Sequence, residues 1–127
     1  MRQLLDTHVF IWYMRGDPTI SQRARDLIEA PEAENLVSVA SLWEIAIKTS
    51  LGKIEIGKPF AQIQSDLDEN GFLTLELHFE HLKQVCNLPF IHRDPFGRLL
   101  IAQAMIENIP LITADEIIPQ YPVQVRW

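Results

Sequence analysis

Four carboxylates follow or accompany short apolar segments at separate places in this 127-residue chain. They are Asp6 in LLDTH, Glu44 in SLWEIAIK, Asp94 in HRDPFGR and Asp115 in LITADE. If parallel strands carried these acids to one edge of a sheet, the negative charge gathered there would need protons or divalent cations to neutralise it. The pattern therefore favours a metal-dependent site that cleaves phosphodiesters.

Each acid also has a local explanation. Asp6 and Asp115 stand at the ends of strand-like segments, where Asp commonly forms turns or caps helices. Asp94 precedes Pro95, and Asp as N-cap with Pro at the first helical position is a strong helix start. A carboxylate can cap a helix and still face a metal, so both interpretations remain open, and only the shared placement of the acids indicates a site.

Glu44 has two local explanations of its own, because it stands three residues after Ser41 and four residues before Lys48. The first spacing is that of a capping box, and the second is that of an ion pair along a helix. Either would account for Glu44 without a functional role.

Basic residues near the acids are few. His92 and Arg93 directly precede Asp94 and are candidates for contacting a phosphate, with a solvated surface pair as the alternative. Lys48, Lys53 and Lys58 are spaced so that they could form a solvated face or touch a polyanion.

Composition restricts the function classes. The net charge of −6 and pI near 5.1 argue against the broad basic surface of a nonspecific nucleic-acid coat. The single cysteine, Cys86, allows no intrachain disulfide, and we interpret it as a small buried residue of a cytoplasmic protein. The N-terminus does not resemble a signal peptide, and Val9 to Met14, the longest apolar run, is too short to span a membrane.

Short apolar segments alternate with segments of helical periodicity, and Gly and Pro stand at the boundaries. We predict strands at RQLLD, LVSV (36–39), FLTLEL and PLIT, with VQV as a candidate last strand. We predict helices from about Val9 to Arg15, from Ser21 to Pro31, through ASLWEIAIKTSL to Gly52, after Pro59 to Gly71, from His78 to Asn87, and from Asp94 onward. This alternation indicates an α/β fold around a mostly parallel sheet, in which sites form at the carboxyl ends of the strands.

Other chemistries lack their motifs. No nucleophile elbow, phosphate-binding GxxxxGK[ST] loop or zinc-type spacing of Cys and His is present. A receiver-like phosphoryl-transfer domain would need a strand-borne lysine that is not evident.

The four acidic blocks, in this order, resemble those of the PIN-domain ribonucleases, specifically the VapC-like toxins of bacterial toxin–antitoxin pairs. LLDTHVFIW resembles the opening strand and helix of that family, and SVASLWEIAIK resembles its second block. HRDPFGRLLIAQA resembles the third block, usually written with DPFDR, and PLITAD resembles the fourth. The resemblance runs nearly end to end, so residues 1–127 are expected to form a single PIN domain.

This resemblance implies an α/β/α sandwich, a cluster of acids that holds Mg²⁺ or Mn²⁺, and endonucleolytic cleavage of RNA. It implies that Asp6 and Asp115 are direct or water-mediated metal ligands and that Asp94 completes the metal pocket. Glu44 would position the attacking water or act as a base. It also implies a homodimer and a VapB-like antitoxin that covers the site. Exposed aromatics such as Trp12, Trp43 and Phe60 could receive that partner, although burial in the core is the expected place for each.

Gly97 departs from the resemblance, because the family carries a second acid three residues after the first one of its third block. An Asp there would interact favourably with the helix dipole by roughly 0.3–1 kcal/mol, whereas Gly costs up to about 1 kcal/mol relative to Ala. Two hypotheses follow. The chain is a nuclease impaired by Gly97, or it is a PIN scaffold that binds its antitoxin or RNA without turnover.

Overall fold

The computed structural model describes residues 1–127 as five strands, six α-helices and one short 3₁₀ helix. The strands are β1 (Arg2–Leu5), β2 (Glu34–Ser38), β3 (Leu73–Leu75), β4 (Leu111–Ile112) and β5 (Val125–Arg126). The helices are α1 (Thr7–Arg15), α2 (Gln22–Glu29), α3 (Val39–Ser50), α4 (Gln62–Glu69), α5 (Phe79–Asn87) and α6 (Pro95–Glu107), and the 3₁₀ helix is Ile118–Gln120.

All strand pairs are parallel, and the order across the sheet is β3-β2-β1-β4-β5. The chain therefore builds outward from β1 on one side and later returns to its other side with β4. In an open parallel sheet, the crevice at such a reversal of strand order is where ligands bind. This topology places the ends of β1 and β4 side by side.

The sheet is covered by helices on both faces, which confirms the predicted α/β/α sandwich. Alternating residues of each strand enter opposite cores, as the pairs Leu4 and Leu5, and Leu111 and Ile112, illustrate. Helices α1 to α4 contribute to the core that contains Leu5, whereas α6 and the end of α5 pack in the core that contains Leu4.

Several predicted helix boundaries are confirmed by their caps. Ser21 accepts a hydrogen bond from Ala24 N at the start of α2, and Gly16 ends α1 with a φ of 64°. Asp94 caps α6 through a bond from Phe96 N, with Pro95 at the first position. The caps are predictable because they depend on one or two adjacent residues.

Other predictions need correction. Strand β3 contains only three residues of FLTLEL. Cys86 is exposed rather than buried, because its position on α5 faces away from the packing with α6. No helix in the structure is long and apolar enough to cross a membrane.

Candidate active site at the carboxyl edge of the sheet

Asp6 and Asp115 meet where β1 and β4 end. Thr113, which directly follows β4, donates a hydrogen bond from Oγ1 to Asp6 Oδ2 over 2.7 Å. The same Thr113 Oγ1 accepts a bond from Asp115 N over 3.0 Å. A single buried hydroxyl therefore connects two acids that are more than a hundred residues apart in the chain.

The environments of these two acids differ. Burial raises the pKa of Asp6 above its ordinary value, although the bond from Thr113 and the nearby His8 oppose the shift. Partial burial also disfavours the charge of Asp115, but hydrogen bonds from His92 and Ile117 N outweigh it and lower its pKa. In the pair, burial therefore outweighs the groups that stabilise the charge of Asp6, whereas hydrogen bonds outweigh burial at Asp115.

Glu44 lies within electrostatic reach of Asp6 and contributes to raising its pKa. Its side chain is almost fully buried, and its Oε2 pairs with Lys48 Nζ at 2.5 Å, which confirms the predicted ion pair. The predicted capping box is wrong, because α3 begins three residues earlier with Ser38 as its cap. Ser41 lies inside the helix, where its Oγ accepts a hydrogen bond from Thr7.

His92 connects Asp94 to Asp115 through hydrogen bonds at both of its ring nitrogens. Its Nδ1 accepts a hydrogen bond from Asp94 N at 3.1 Å, so the proton of the neutral ring lies on Nε2. That nitrogen lies 2.6 Å from Asp115 Oδ2 and donates to it. His92 is therefore a buried link between two acidic segments and not part of a solvated surface pair, whereas Arg93 is exposed.

Gly97 lies in the first turn of α6 and is buried beside the same groups. A Cβ atom at this position would lie 3.2 Å from Asp94 Oδ2 and 3.5 Å from His92 Nε2. An acidic side chain at 97 would therefore start beside Asp94 and His92. The space beside Asp94 is tight, and a new side chain would require Asp94 to shift by a few tenths of an ångström.

Asp6 and Asp115 border an open depression of about 330 Å³, which is also lined by His8, Trp12 and Ala114. The depression lies at the first turns of α1 and at the turn that follows β4. Asp94 and Glu44 do not line it, so the structure gives Asp6 and Asp115 a shared open surface and leaves the other two acids beside it.

Arg98 is a buried residue whose role the sequence did not reveal. Its guanidinium donates to the backbone oxygens of Pro89, Val85 and Leu88 and stacks over the Phe90 ring at 4.5 Å. It therefore holds the segment between α5 and α6 that carries His92 and Asp94. The only sequence signal was an arginine inside the third acidic block, where surface exposure is the usual expectation.

The other predicted contacts have mixed outcomes. Lys48 pairs with Glu44 and Lys58 pairs with Asp66, so neither forms a free basic face. Trp43 and Phe60 are 60% and 39% exposed, which makes the expectation of core burial wrong for both.

A family model for the PIN domain matches residues 4–124, almost the entire chain. The chain belongs to the PIN domain family. PIN domains are generally nucleases, and they typically use divalent metal ions.

Solved structures of similar fold include chains from toxin–antitoxin complexes. A chain of VapBC2 from Rickettsia felis, bound to a DNA fragment from its promoter, shares 18% identity with a TM-score of 0.74, covering 99% of this PIN domain and 98% of that chain. A toxin–antitoxin complex from Klebsiella pneumoniae gives 15% identity and a TM-score of 0.66, with coverage of 98% and 96%. A chain of VapBC-1 from nontypeable Haemophilus influenzae shares 18% identity with a TM-score of 0.65, and the match covers 99% of this PIN domain and 97% of that chain.

At these identities the similarity establishes the fold. A search among curated protein sequences finds no significant match.

The donor set of this PIN domain suits a hard cation with few protein ligands. No three His, Cys, Asp or Glu side chains converge into a metal cage. Magnesium, however, usually keeps several waters and binds through one or two carboxylates. Asp6, buried without a compensating cation, and Asp115 in the same depression fit such a hydrated ion.

Proposed function

We propose that this PIN domain, taken as one domain over residues 1–127, is a magnesium-dependent endoribonuclease toxin of a toxin–antitoxin pair. The observation that carries the proposal is the meeting of Asp6 and Asp115 in one open depression, with Asp94 and Glu44 adjacent. The family match supports the nuclease class. The RNA substrate and the preference for Mg²⁺ over Mn²⁺ are parts of the proposal, as is action in the cytoplasm, where RNA is available.

In this proposal Asp6 and Asp115 hold the cation and Asp94 completes the pocket. When bound, the cation supplies water activation and stabilises charge on the phosphate. Thr113 fixes the orientation of Asp6, and His92 keeps Asp115 ionised and aimed at the depression. Glu44, whose charge is shared with Lys48, orients the attacking water or takes up its proton.

The partner in this proposal is a VapB-like antitoxin, and the assembly is a homodimer. The toxin–antitoxin complexes that share the fold support the antitoxin partner, and the homodimer is what the resemblance implies. Co-expression with the product of any small reading frame found beside the gene, followed by size-exclusion chromatography with light scattering, would test both. A monomer that forms no complex with that product would contradict this part.

The central test is the variant Asp6→Asn. We expect RNA cleavage by the wild type to require Mg²⁺, and the variant to lose at least about 100-fold in rate, as for removal of a group that stabilises charge in the transition state. Cleavage of transfer and ribosomal RNA, followed on denaturing gels with and without chelator, measures this.

Misfolding of the variant can be separated from loss of function. Because burial raises the pKa of Asp6, its charge at neutral pH opposes folding, and Asp6→Asn should leave the metal-free protein at least as stable to heat. Glu116→Gln, an exposed acid next to Asp115, serves as the matched control and should cleave normally. Equal cleavage by wild type and Asp6→Asn would refute the assignment of Asp6.

The second candidate function is a PIN scaffold that binds its antitoxin or RNA without turnover. Gly97 favours it, because the position that could add an acid beside Asp94 has no side chain. Antitoxin binding by a wild type that cleaves no RNA at any Mg²⁺ concentration would support this candidate over the first.

A further inference from the structure

Two aromatic rings share the depression with the acid pair. His8 and Trp12 stand four residues apart on α1, which places them on one face of the helix. Their ring centroids are 5.9 Å apart with an interplanar angle of 44°, and both line the depression together with Asp6 and Asp115. The depression therefore has an aromatic side, formed by His8 and Trp12, and an acidic side, formed by Asp6 and Asp115.

Contacts with Trp127 and with the core fix the position of Trp12. Trp127, the C-terminal residue, packs against it with a centroid distance of 6.1 Å, and one side of Trp12 contacts the core. The indole nevertheless remains partly accessible, because it borders the depression. A ring fixed in this way loses little conformational entropy when a second flat group stacks on it.

The shape and chemistry of the depression suit one unpaired nucleotide. Its volume of about 330 Å³ is at the lower end of the range for small-molecule sites. Ala114 adds little bulk to the lining. Aromatic side chains bind single-stranded nucleic acids by stacking on bases, which needs no particular base sequence.

We infer that Trp12, supported by Trp127 and accompanied by His8, is a stacking platform for one unpaired base of the RNA substrate. The inference deepens the proposed function by naming a subsite for it. A base stacked on Trp12 places its adjoining phosphate toward Asp6 and Asp115, because the acids lie in the same depression. Unpaired segments of RNA are therefore selected over duplex, whose bases are already stacked.

The test uses a fluorescein-labelled hexa-adenylate whose phosphorothioate linkages resist metal-dependent hydrolysis, in the presence of Mg²⁺. Fluorescence anisotropy measures its Kd against that of an abasic oligonucleotide of the same length. We expect the wild type to prefer the base-containing strand. Trp12→Leu, which retains apolar packing but lacks the flat ring, should weaken that strand about 5- to 150-fold while leaving the abasic strand unchanged.

Two controls keep the result specific. Trp12→Phe retains an aromatic ring and should recover most of the base preference. Phe79→Leu removes an exposed aromatic that does not line the depression and should bind like the wild type. Circular-dichroism melting checks that each variant is folded.

The outcomes separate this inference from the proposed nuclease function. If Trp12→Leu retains the base preference, or loses affinity equally for the abasic strand, the stacking platform is refuted, whatever the wild type cleaves. The same holds if the wild type binds neither strand. If base preference depends on Trp12 but the wild type cleaves no RNA, the platform stands and the nuclease proposal fails.

Discussion

Introducing an acid with Gly97→Asp should increase both Mg²⁺ affinity and the rate of RNA cleavage by at least about 10-fold. The reason is positional, since the Cβ of the new residue would lie 3.2 Å from Asp94 Oδ2, within the acid cluster. Loss of supporting groups around a metal typically changes affinity or activity by about 10- to 100-fold, and gain of a ligand should be no smaller. Isothermal titration with MgCl₂ and a cleavage assay measure the two quantities.

Without Mg²⁺, the Gly97→Asp variant should be less stable to heat than the wild type. A second carboxylate beside Asp94 adds repulsion that a cation relieves, so Mg²⁺ should raise the melting temperature of Gly97→Asp more than that of the wild type. Gly97→Ala is the matched control, because it adds the same Cβ and improves helix propensity without a charge. If Gly97→Asp cleaves no faster than Gly97→Ala, the chain has no missing ligand at 97.

Replacing Arg98 with Met should destabilise the fold by about 1–3 kcal/mol. The methionine preserves much of the apolar stem, but Leu88 O loses its donor. The oxygens of Pro89 and Val85 keep other donors, from the Tyr121 hydroxyl and from Leu88 N respectively. Each buried acceptor left without a partner costs about 1–3 kcal/mol, reduced where water can enter. Urea denaturation followed by circular dichroism measures the difference.

Arg93→Met provides the control for Arg98→Met, since Arg93 lies on the same segment but is exposed and should change stability by no more than about 0.5 kcal/mol. Similar stability of both variants would mean that the segment does not depend on Arg98. Reduced Mg²⁺ affinity in Arg98→Met is also expected, because this segment carries Asp94 and His92.

Much of the fold could be predicted because its signals are local. The Asp94-Pro95 start of α6 and the Ser21 cap of α2 each depend on a few adjacent residues, and both are confirmed. The parallel sheet followed from alternation of apolar strands and helices. The extent of β3 could not be predicted, because an alternating segment pairs only where β2 provides a partner.

The site was predictable only in its acids. The predicted ends of strands identified Asp6 and Asp115. The hydrogen bond from Thr113 to Asp6 could not be predicted, because it depends on the register between β1 and β4. The roles of His92 and Arg98 depend on tertiary contacts, with Asp115 in one case and with the end of α5 in the other. The residues that flank His92 and Arg98 in the sequence do not indicate these two contacts.

The separation of Asp6 and Asp115 along the chain has a consequence for biosynthesis. The bond from Thr113 to Asp6 spans 107 residues, and at about 5–20 residues per second a ribosome needs roughly 5–20 s between making its two ends. Residues of β1 and β2 are synthesised well before those of β4. The acid pair can therefore assemble only after Thr113 and Asp115 have been synthesised, and under the proposed function the nascent chain could not cleave RNA before then.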